Sequence, residues 1–522
     1  MRSVVFVLIL LILTGCHSSP PATKSTLRFS FSTHPATVDP RKSGDFISST
    51  LISLLFAGLT RCKSGSEIEL SLAEKVEISP DQKTYLFTLR KSLWSDGHPV
   101  TAYDFEKSWK AVLSPGFPSL CAYLFYPIKN GERCAKGLLP MEEVGIRALN
   151  AYTLQVELEH PTPYFLSLTA FPLYLPVPHH LDDPFSDWCQ NPAKLICNGP
   201  FCIGHILPNT EIALKKNPSF WDPSLVHLDE IQISIVPDET TALQMFERDE
   251  LDLVGGFLAP LPSDALQTLQ ENPNLRFIPM TASTFCTFNT ESFPFSNRSL
   301  RKAFASAIDC DLIKDEIAKR GQIPATRCLP PSLCSSPDPS PTRGVAQLYL
   351  QQALKELQID PSALESMTLF FKAGQTDKWL AQALQRQWKD VLGIEIHLEQ
   401  ADPKAHLQRL YKRNYQIALS SWIAQYHDSI NILERFKDKK NVKNYPGWES
   451  ERYVQLLEEA GSTLDVGKRL HILENAEAML AEETIIAPLY HWRVPTLLHP
   501  RVQNLEETSS GGVLFEWCSV SP

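Results

Sequence analysis

No stretch of this 522-residue chain holds the roughly 20 consecutive apolar residues needed to cross about 30 Å of hydrocarbon. Residues 4–13 form an unbroken apolar run, but it is only ten residues long. Everything beyond it must therefore bury its apolar side chains in cores of its own making. Apolar residues make up 43% of the chain and charged residues 21%, the balance of an ordinary globular protein. Roughly 500 residues exceed a single core, so two or three domains are expected. The net charge is −10, without a long basic run or a repeated aromatic–basic pattern. Phosphate binding needs clustered Lys and Arg, so no nucleic-acid partner is expected.

Met1 and Arg2 precede the apolar run, which has the length of the h-region of a secretory signal peptide. The run ends in Leu13-Thr14-Gly15-Cys16. Small residues before a cysteine resemble the lipobox of bacterial lipoproteins. That resemblance implies a lipoprotein signal peptide at 1–16, a lipid on Cys16, and Cys16 as the new N-terminus. Residues 17–25 are polar and proline-bearing and read as a tether. Several acyl chains on one cysteine would anchor the body durably. The expected location is the bacterial cell envelope, on the periplasmic side, lipid-anchored to a membrane.

Of twelve cysteines, eleven remain once Cys16 carries lipid, and an odd number cannot all pair within one chain. Cys328 and Cys334 flank a proline-rich loop and could pair in an oxidising compartment. Cys189, Cys197 and Cys202 lie close enough in sequence to contain another pair. Buried thiols are the default for all of them. No CxxC pair or HxxxH spacing occurs, so no metal is expected.

The body mixes strands and helices. Residues 27–32 alternate apolar and polar and read as a half-buried strand. Residues 50–59 read as a short apolar helix closed by Gly58. Residues 85–90 read as a strand, and Thr101 opens a helix that holds Phe105 and Trp109, with Asp104 in its first turn. Residues 152–158 and 231–236 are expected strands, 240–248 a helix and 251–254 a strand. A second α/β rhythm begins near Phe285. It comprises a helix at 299–308, a Pro/Ser-rich loop at 323–342, a helix at 345–357 and a strand at 367–371. A helix at 379–392, a strand at 394–398 and an amphipathic helix at 469–482 follow. The absence of a 20–50-residue repeat argues against a solenoid.

Motifs of catalysis are missing. There is no GxSxG, HExxH or GxGxxG. Residues 461–468 approach a P-loop, but the spacing is one residue too long and Arg469 replaces the hydroxyl residue. That segment reads as a turn before a helix. Neither an enzyme nor a cofactor is expected.

Residues 85–113 read YLFTLRKSLWSDGHPVTAYDFEKSWKAVL. A strand ends in basic residues, Ser95-Asp96-Gly97 makes a tight turn, and Pro99-Val100-Thr101 leads into a helix. Trp94, Phe105 and Trp109 supply a local core. The segment resembles the signature of the peptide/nickel class of ABC-transporter solute-binding proteins, oligopeptide-binding type. Further matches follow in the family's order: Val38-Asp39-Pro40, Phe56-Ala57-Gly58-Leu59, then Glu157 with Pro161, Pro163, Tyr164 and Phe165. Asn198-Gly199-Pro200-Phe201, Asn217-Pro218-Ser219-Phe220-Trp221 and residues 295–303 continue the series.

The resemblance implies a type II periplasmic-binding-protein fold, with two α/β lobes joined by hinge strands and an extra α+β domain. Residues 24–56, 179–285 and 491–522 would form the first lobe, 57–178 the extra domain and 286–490 the second lobe. The implied protein is a monomeric extracytoplasmic component of an ABC importer. It would bind oligopeptides between its lobes and deliver them to the membrane permease. The alternatives are another solute, such as a murein peptide or a metal chelate, or an envelope hydrolase or adhesin on the same scaffold.

A receptor for varied peptides can bind their shared backbone by taking the peptide as an added strand. The resemblance lays Ser420, Ser421, Trp422 and Ala424 against the ligand, with residues 417–419 as the strand leading in. Trp422 reads equally as core. Asn198 and Gly199 match a motif beside the cleft. Gln425 stands where oligopeptide binders carry an acidic residue that pairs with the peptide amine. A glutamine brings no charge to a buried ammonium, and Asp428 is the alternative partner if the loop is displaced. The family's arginine three residues before the tryptophan is Leu419 here. Cys286 matches a family cysteine whose disulfide partner would fall at Ile423.

Overall fold

The computed structural model describes residues 24–63, 67–180, 188–189, 195–310, 312–313, 321–336 and 344–521. Cys16, the leader and the tether as far as residue 23 lie outside these, as does part of the 323–342 loop.

Two long strands, Leu275–Phe288 and Ile486–Leu498, run antiparallel from Leu275 opposite Leu497 to Thr287 opposite Ile486. One large sheet grows outward from this pair. On one side Ile417–Ile423 pairs antiparallel with Leu275–Phe288, and Thr368–Lys372 and His397–Ala401 continue in parallel. On the other side Leu253–Gly255 joins Ile486–Leu498, followed by Thr26–Phe31 and Glu230–Ile235, paired in parallel. Glu211–Lys216 and Phe201–Leu207 then finish the edge as antiparallel strands. This architecture fits the expected fold class.

A separate four-stranded antiparallel sheet, in the order Ala73–Ile78, Thr84–Leu89, Thr153–Glu157, Ile146–Asn150, carries the helix Ala102–Val112. Phe105 and Trp109 are completely buried there, and the Trp109 indole donates to the Tyr174 carbonyl at 2.8 Å. Asp104 is also fully buried. It accepts the Thr101 backbone N–H at 2.6 Å, satisfying a helix-end donor, and that of His179 at 2.7 Å. The 85–113 segment is thus scaffold. The half beyond Phe285 has a core of its own around Phe288, Phe304, Leu369, Trp388 and Ile417, although Phe285 itself lies inside a long strand rather than at its start.

Several expected elements shift. The helix expected at 50–59 is Phe46–Leu55, because Asp45 caps it by accepting the Ser48 N–H at 2.8 Å. Phe56 is already extended, so Gly58 closes no helix. A Cβ on Gly58 would instead meet Leu175 at 3.0 Å and the Thr169 carbonyl at 3.3 Å. The strand expected at 394–398 is His397–Ala401, with Ile394 and Ile396 buried ahead of it. The strand expected at 251–254 is Leu253–Gly255. The helix expected at 469–482 extends over Val466–Glu483, capped by Asp465.

The described cysteines follow the default reading of free thiols. Cys328 is buried and the Cys334 thiol donates to the Pro330 carbonyl at 3.4 Å, so the two are thiols rather than a disulfide. The Cys197 and Cys202 sulfurs lie 2.9 Å apart as thiols. Cys286 stands opposite Leu419, whereas Ile423 stands opposite Ala282. Four residues of extended strand therefore separate Cys286 from the position expected to pair with it, far beyond disulfide reach.

One buried carboxylate ties the first strand to the C-terminal tail. Asp252, with no exposed surface, accepts the Arg28 backbone N–H at 2.8 Å, the Arg28 guanidinium at 3.1 Å and the Arg501 Nε at 2.7 Å. Removing it leaves two cations and a strand N–H without their acceptor. Both arginine side chains keep 28–29% exposure, so the loss should fall below the roughly 3–5 kcal/mol of a fully buried pair. Asp252→Ala is expected to destabilise the fold by about 2–4 kcal/mol, measured by urea denaturation.

Candidate functional site

A cavity of about 340 Å³ opens where stretches distant in sequence meet: 44–62 with Ile68 and Ser71, 121, 167–175, 423–427 and 508–516. That volume suits a small ligand. Phe46, Phe56, Phe171 and Ile423 make much of the wall apolar, and Ser49, Thr50, Ser167 and Thr508 add hydroxyls. The charged groups on the wall are Asp45, Arg61 and Glu516. Arg61 bridges Glu516 and Glu69, each at 2.6 Å, and its guanidinium lies 4.8 Å from the Trp517 ring centre. Burial pushes the Glu516 carboxyl up, and Arg61 pulls it back down. Asp45 has no ion-pair partner among the described residues.

The strand Ile417–Ile423 runs straight into this wall. Its inner edge is bonded along its length to Leu275–Phe288. Its outer edge pairs with Thr368–Lys372 only at Ile417 and Ala418. From Leu419 to Ile423 no described strand covers that edge, which leaves main-chain groups for an added strand.

The expected site residues divide between wall and support. Ala424 and Gln425 line the cavity. Ser420 and Ser421 turn their hydroxyls to the neighbouring strand, at 2.6 Å from Thr287 and 2.8 Å from Thr284. Trp422 does not line the cavity. Its indole donates to Asn431 at 3.2 Å, and the Arg435 guanidinium sits 4.5 Å from its ring centre. Asn198 and Gly199 stand behind the wall: Asn198 Oδ1 accepts the Ala57 N–H at 3.0 Å, and the Gly199 N–H donates to the Leu55 carbonyl at 2.8 Å. A Cβ on Gly199 would come within 2.4 Å of the Leu55 backbone.

Gln425 faces the 57–178 segment, where its Oε1 accepts the Tyr123 hydroxyl at 2.5 Å. Nearby, Tyr164 stacks on Tyr426 at 4.8 Å, and the Lys443 ammonium lies 3.8 Å from the Tyr123 ring centre. Asp428 is held by Arg469 in a bidentate pair at 2.7 and 2.9 Å and does not line the cavity. Its charge is already paired with Arg469 in this structure. Sequence reasoning missed Asp45, Arg61, His427 and the 508–516 stretch. Of these only Asp45 carried a signal, as an Asp directly before the apolar Phe46 and Ile47 of a helix start.

The sequence profile of the bacterial extracellular solute-binding proteins, family 5 Middle, matches residues 67–444. The oligopeptide-binding protein OppA of Bacillus subtilis is 33% identical over 501 residues, 94% of this chain and 92% of that protein. The dipeptide-binding protein DppE of the same organism is 30% identical over 92% of this chain and 90% of its own length. Among solved structures, a periplasmic oligopeptide-binding protein of Borrelia burgdorferi superposes with a TM-score of 0.80 at 25% identity. That match covers 95% of this chain and all of the other.

Glu434 introduces a pH dependence beside this site. Burial pushes its carboxyl up to about 7, Asp428 adds to the rise, and Lys437 and Lys443 oppose it. A carboxyl raised in the fold favours the protonated form, so its stabilising contribution is complete at low pH and is lost as pH rises through 7. Glu434→Gln should therefore stabilise the protein by about 1–3 kcal/mol at pH 8 and by little at pH 5, read from denaturation curves at the two pH values.

Proposed function

The chain belongs to the bacterial extracellular solute-binding proteins of family 5, and on that premise we propose that it captures oligopeptides for an ABC importer. The open outer edge of Ile417–Ile423, running into the cavity wall, is the observation that carries this reading. A peptide laid along Ser420, Ser421, Trp422 and Ala424 would bond main chain to main chain, and the mixed apolar and hydroxyl walls would take varied side chains. The lobe division at 24–56 with 179–285 and 491–522, 57–178, and 286–490 belongs to the same proposal. So do delivery to a membrane permease, a monomeric state, the absence of catalysis and a lipid anchor on Cys16. If Cys16 is the lipid attachment point, Cys16→Ala abolishes incorporation of a fatty-acid label in cells. Undiminished labelling overturns the anchor.

Gln425 shapes the expected specificity. It offers an amide where the family's oligopeptide binders hold a carboxylate, so a peptide's free ammonium finds no counter-charge from it. Peptides with an acetylated N-terminus should bind as well as their free-amine forms or better. Gln425→Asp should reverse the preference by about tenfold, or roughly 1.4 kcal/mol. Calorimetry on a matched peptide pair, after mass spectrometry of co-purified ligands has supplied the sequence, tests this. A strong preference of the unaltered protein for the free amine would overturn the Gln425 reading. No stabilisation by a broad peptide library would overturn the peptide reading itself.

A further inference from the structure

Away from the cleft, two anchored segments bring three metal-binding side chains together. His98 Nδ1 lies 3.0 Å and His180 Nε2 3.1 Å from the same oxygen, Asp96 Oδ2. The two imidazoles stack with ring centres 4.4 Å apart, and the three donor atoms all lie within 4.8 Å of one another. The side chains remain reachable from solvent, at 60% exposure for His98, 26% for His180 and 25% for Asp96.

Both carriers of these donors are fixed. In the turn at 95–97 the Gly97 N–H donates to the Trp94 carbonyl at 2.9 Å, and the Trp94 N–H donates to the His98 carbonyl at 2.8 Å. Trp94 is fully buried. Gly97 sits at φ +89°, a left-handed conformation that glycine adopts freely. Asp96 Oδ1 is occupied by the His98 backbone N–H at 3.1 Å, which leaves Oδ2 toward the imidazoles. On the other segment the residue before His180 is clamped. His179 donates its backbone N–H to the buried Asp104 at 2.7 Å, and its carbonyl accepts from Lys107 Nζ at 2.8 Å.

We infer that Asp96, His98 and His180 form a three-ligand site for a divalent transition cation of the zinc type. Zinc binds imidazole nitrogen at about 2.0–2.1 Å and carboxylate oxygen at about 2.0–2.2 Å. Tetrahedral geometry at those lengths sets donor atoms roughly 3.3 Å apart, close to the 3.0 and 3.1 Å that already separate each imidazole nitrogen from the carboxylate oxygen. The cation replaces the protons that now join the imidazoles to the carboxylate, and its fourth position stays open to water. Two nitrogen donors favour zinc, nickel or copper(II) over calcium and magnesium, which require oxygen-rich shells. Bound metal pins the 95–98 turn to the chain at His180, 82 residues away in sequence.

Calorimetric titration of the metal-free full chain with Zn2+ tests the site. One site of micromolar affinity is expected, at least tenfold weaker in His98→Ala, His180→Ala and Asp96→Asn. His205→Ala removes a surface histidine whose partner among the described residues is Glu211 and should bind Zn2+ like the unaltered protein. The thermal midpoint without metal verifies that each variant is folded, and Asp96→Asn keeps the turn's shape should a histidine variant misfold. Equal Zn2+ binding by a His98→Ala/His180→Ala double variant overturns the assignment. So does the absence of saturable binding, or displacement of Zn2+ by a modest excess of Ca2+.

Discussion

The pairing of Leu275–Phe288 with Ile486–Leu498 is the constraint on which the rest of the molecule hangs. Each strand is long enough to belong to both halves of the large sheet, and the register slips at Pro279/Ser283 and Thr284/Phe285 bend the pair locally. One flank receives the strand that supplies the open edge. The other receives Leu253–Gly255 and, through it, the first strand and the helix whose Asp45 and Phe46 line the cavity. A substitution that breaks this pairing would separate the walls without touching either of them.

The site's polar groups are largely satisfied before any ligand arrives. Arg61 is taken by two carboxylates, Asp428 by Arg469, and Gln425 by Tyr123. Asp45 is the acidic wall residue without a described ion-pair partner, and part of its capacity goes to capping its helix. An incoming peptide therefore meets mostly neutral hydrogen-bonding and apolar surface, whose discrimination rests on shape and main-chain bonding more than on charge.

What the sequence made legible follows from how each segment is buried. The 85–113 segment, with its alternating strand, turn residues and capped helix, was readable because local chemistry and final structure agree there. The two longest strands escaped notice. Leu275–Phe288 is buried on both faces through its second half and carries Pro279, while Ile486–Leu498 carries Pro488 and Pro495. Neither shows the period-two alternation that marks a half-buried strand. The helix at Phe46–Leu55 starts earlier than expected because Asp45 caps it directly before Phe46 and Ile47, ahead of the apolar run that begins at Leu51. Ala424 and Gln425, which line the cavity, stand in a segment the sequence singled out, whereas the opposing wall does not. Residues 44–62 and 508–516 become neighbours only through tertiary packing, and no local spacing encodes that.

The position of the first strand has a consequence for the order in which the molecule can be built. Thr26–Phe31 has Glu230–Ile235 as its full-length partner and touches Leu253–Gly255 at Phe29. Its Phe29 ring stacks on Phe515, almost at the other end of the chain. The earliest-made strand must therefore wait for some 200 residues before it has an edge to join, and part of the cover over its apolar face waits for Phe515, among the last residues made. Such non-local closure makes folding slow. The N-terminal strand of a nascent chain of this topology stays unpaired until Glu230–Ile235 has been made, the condition in which that end of a polypeptide can still be threaded through a narrow pore.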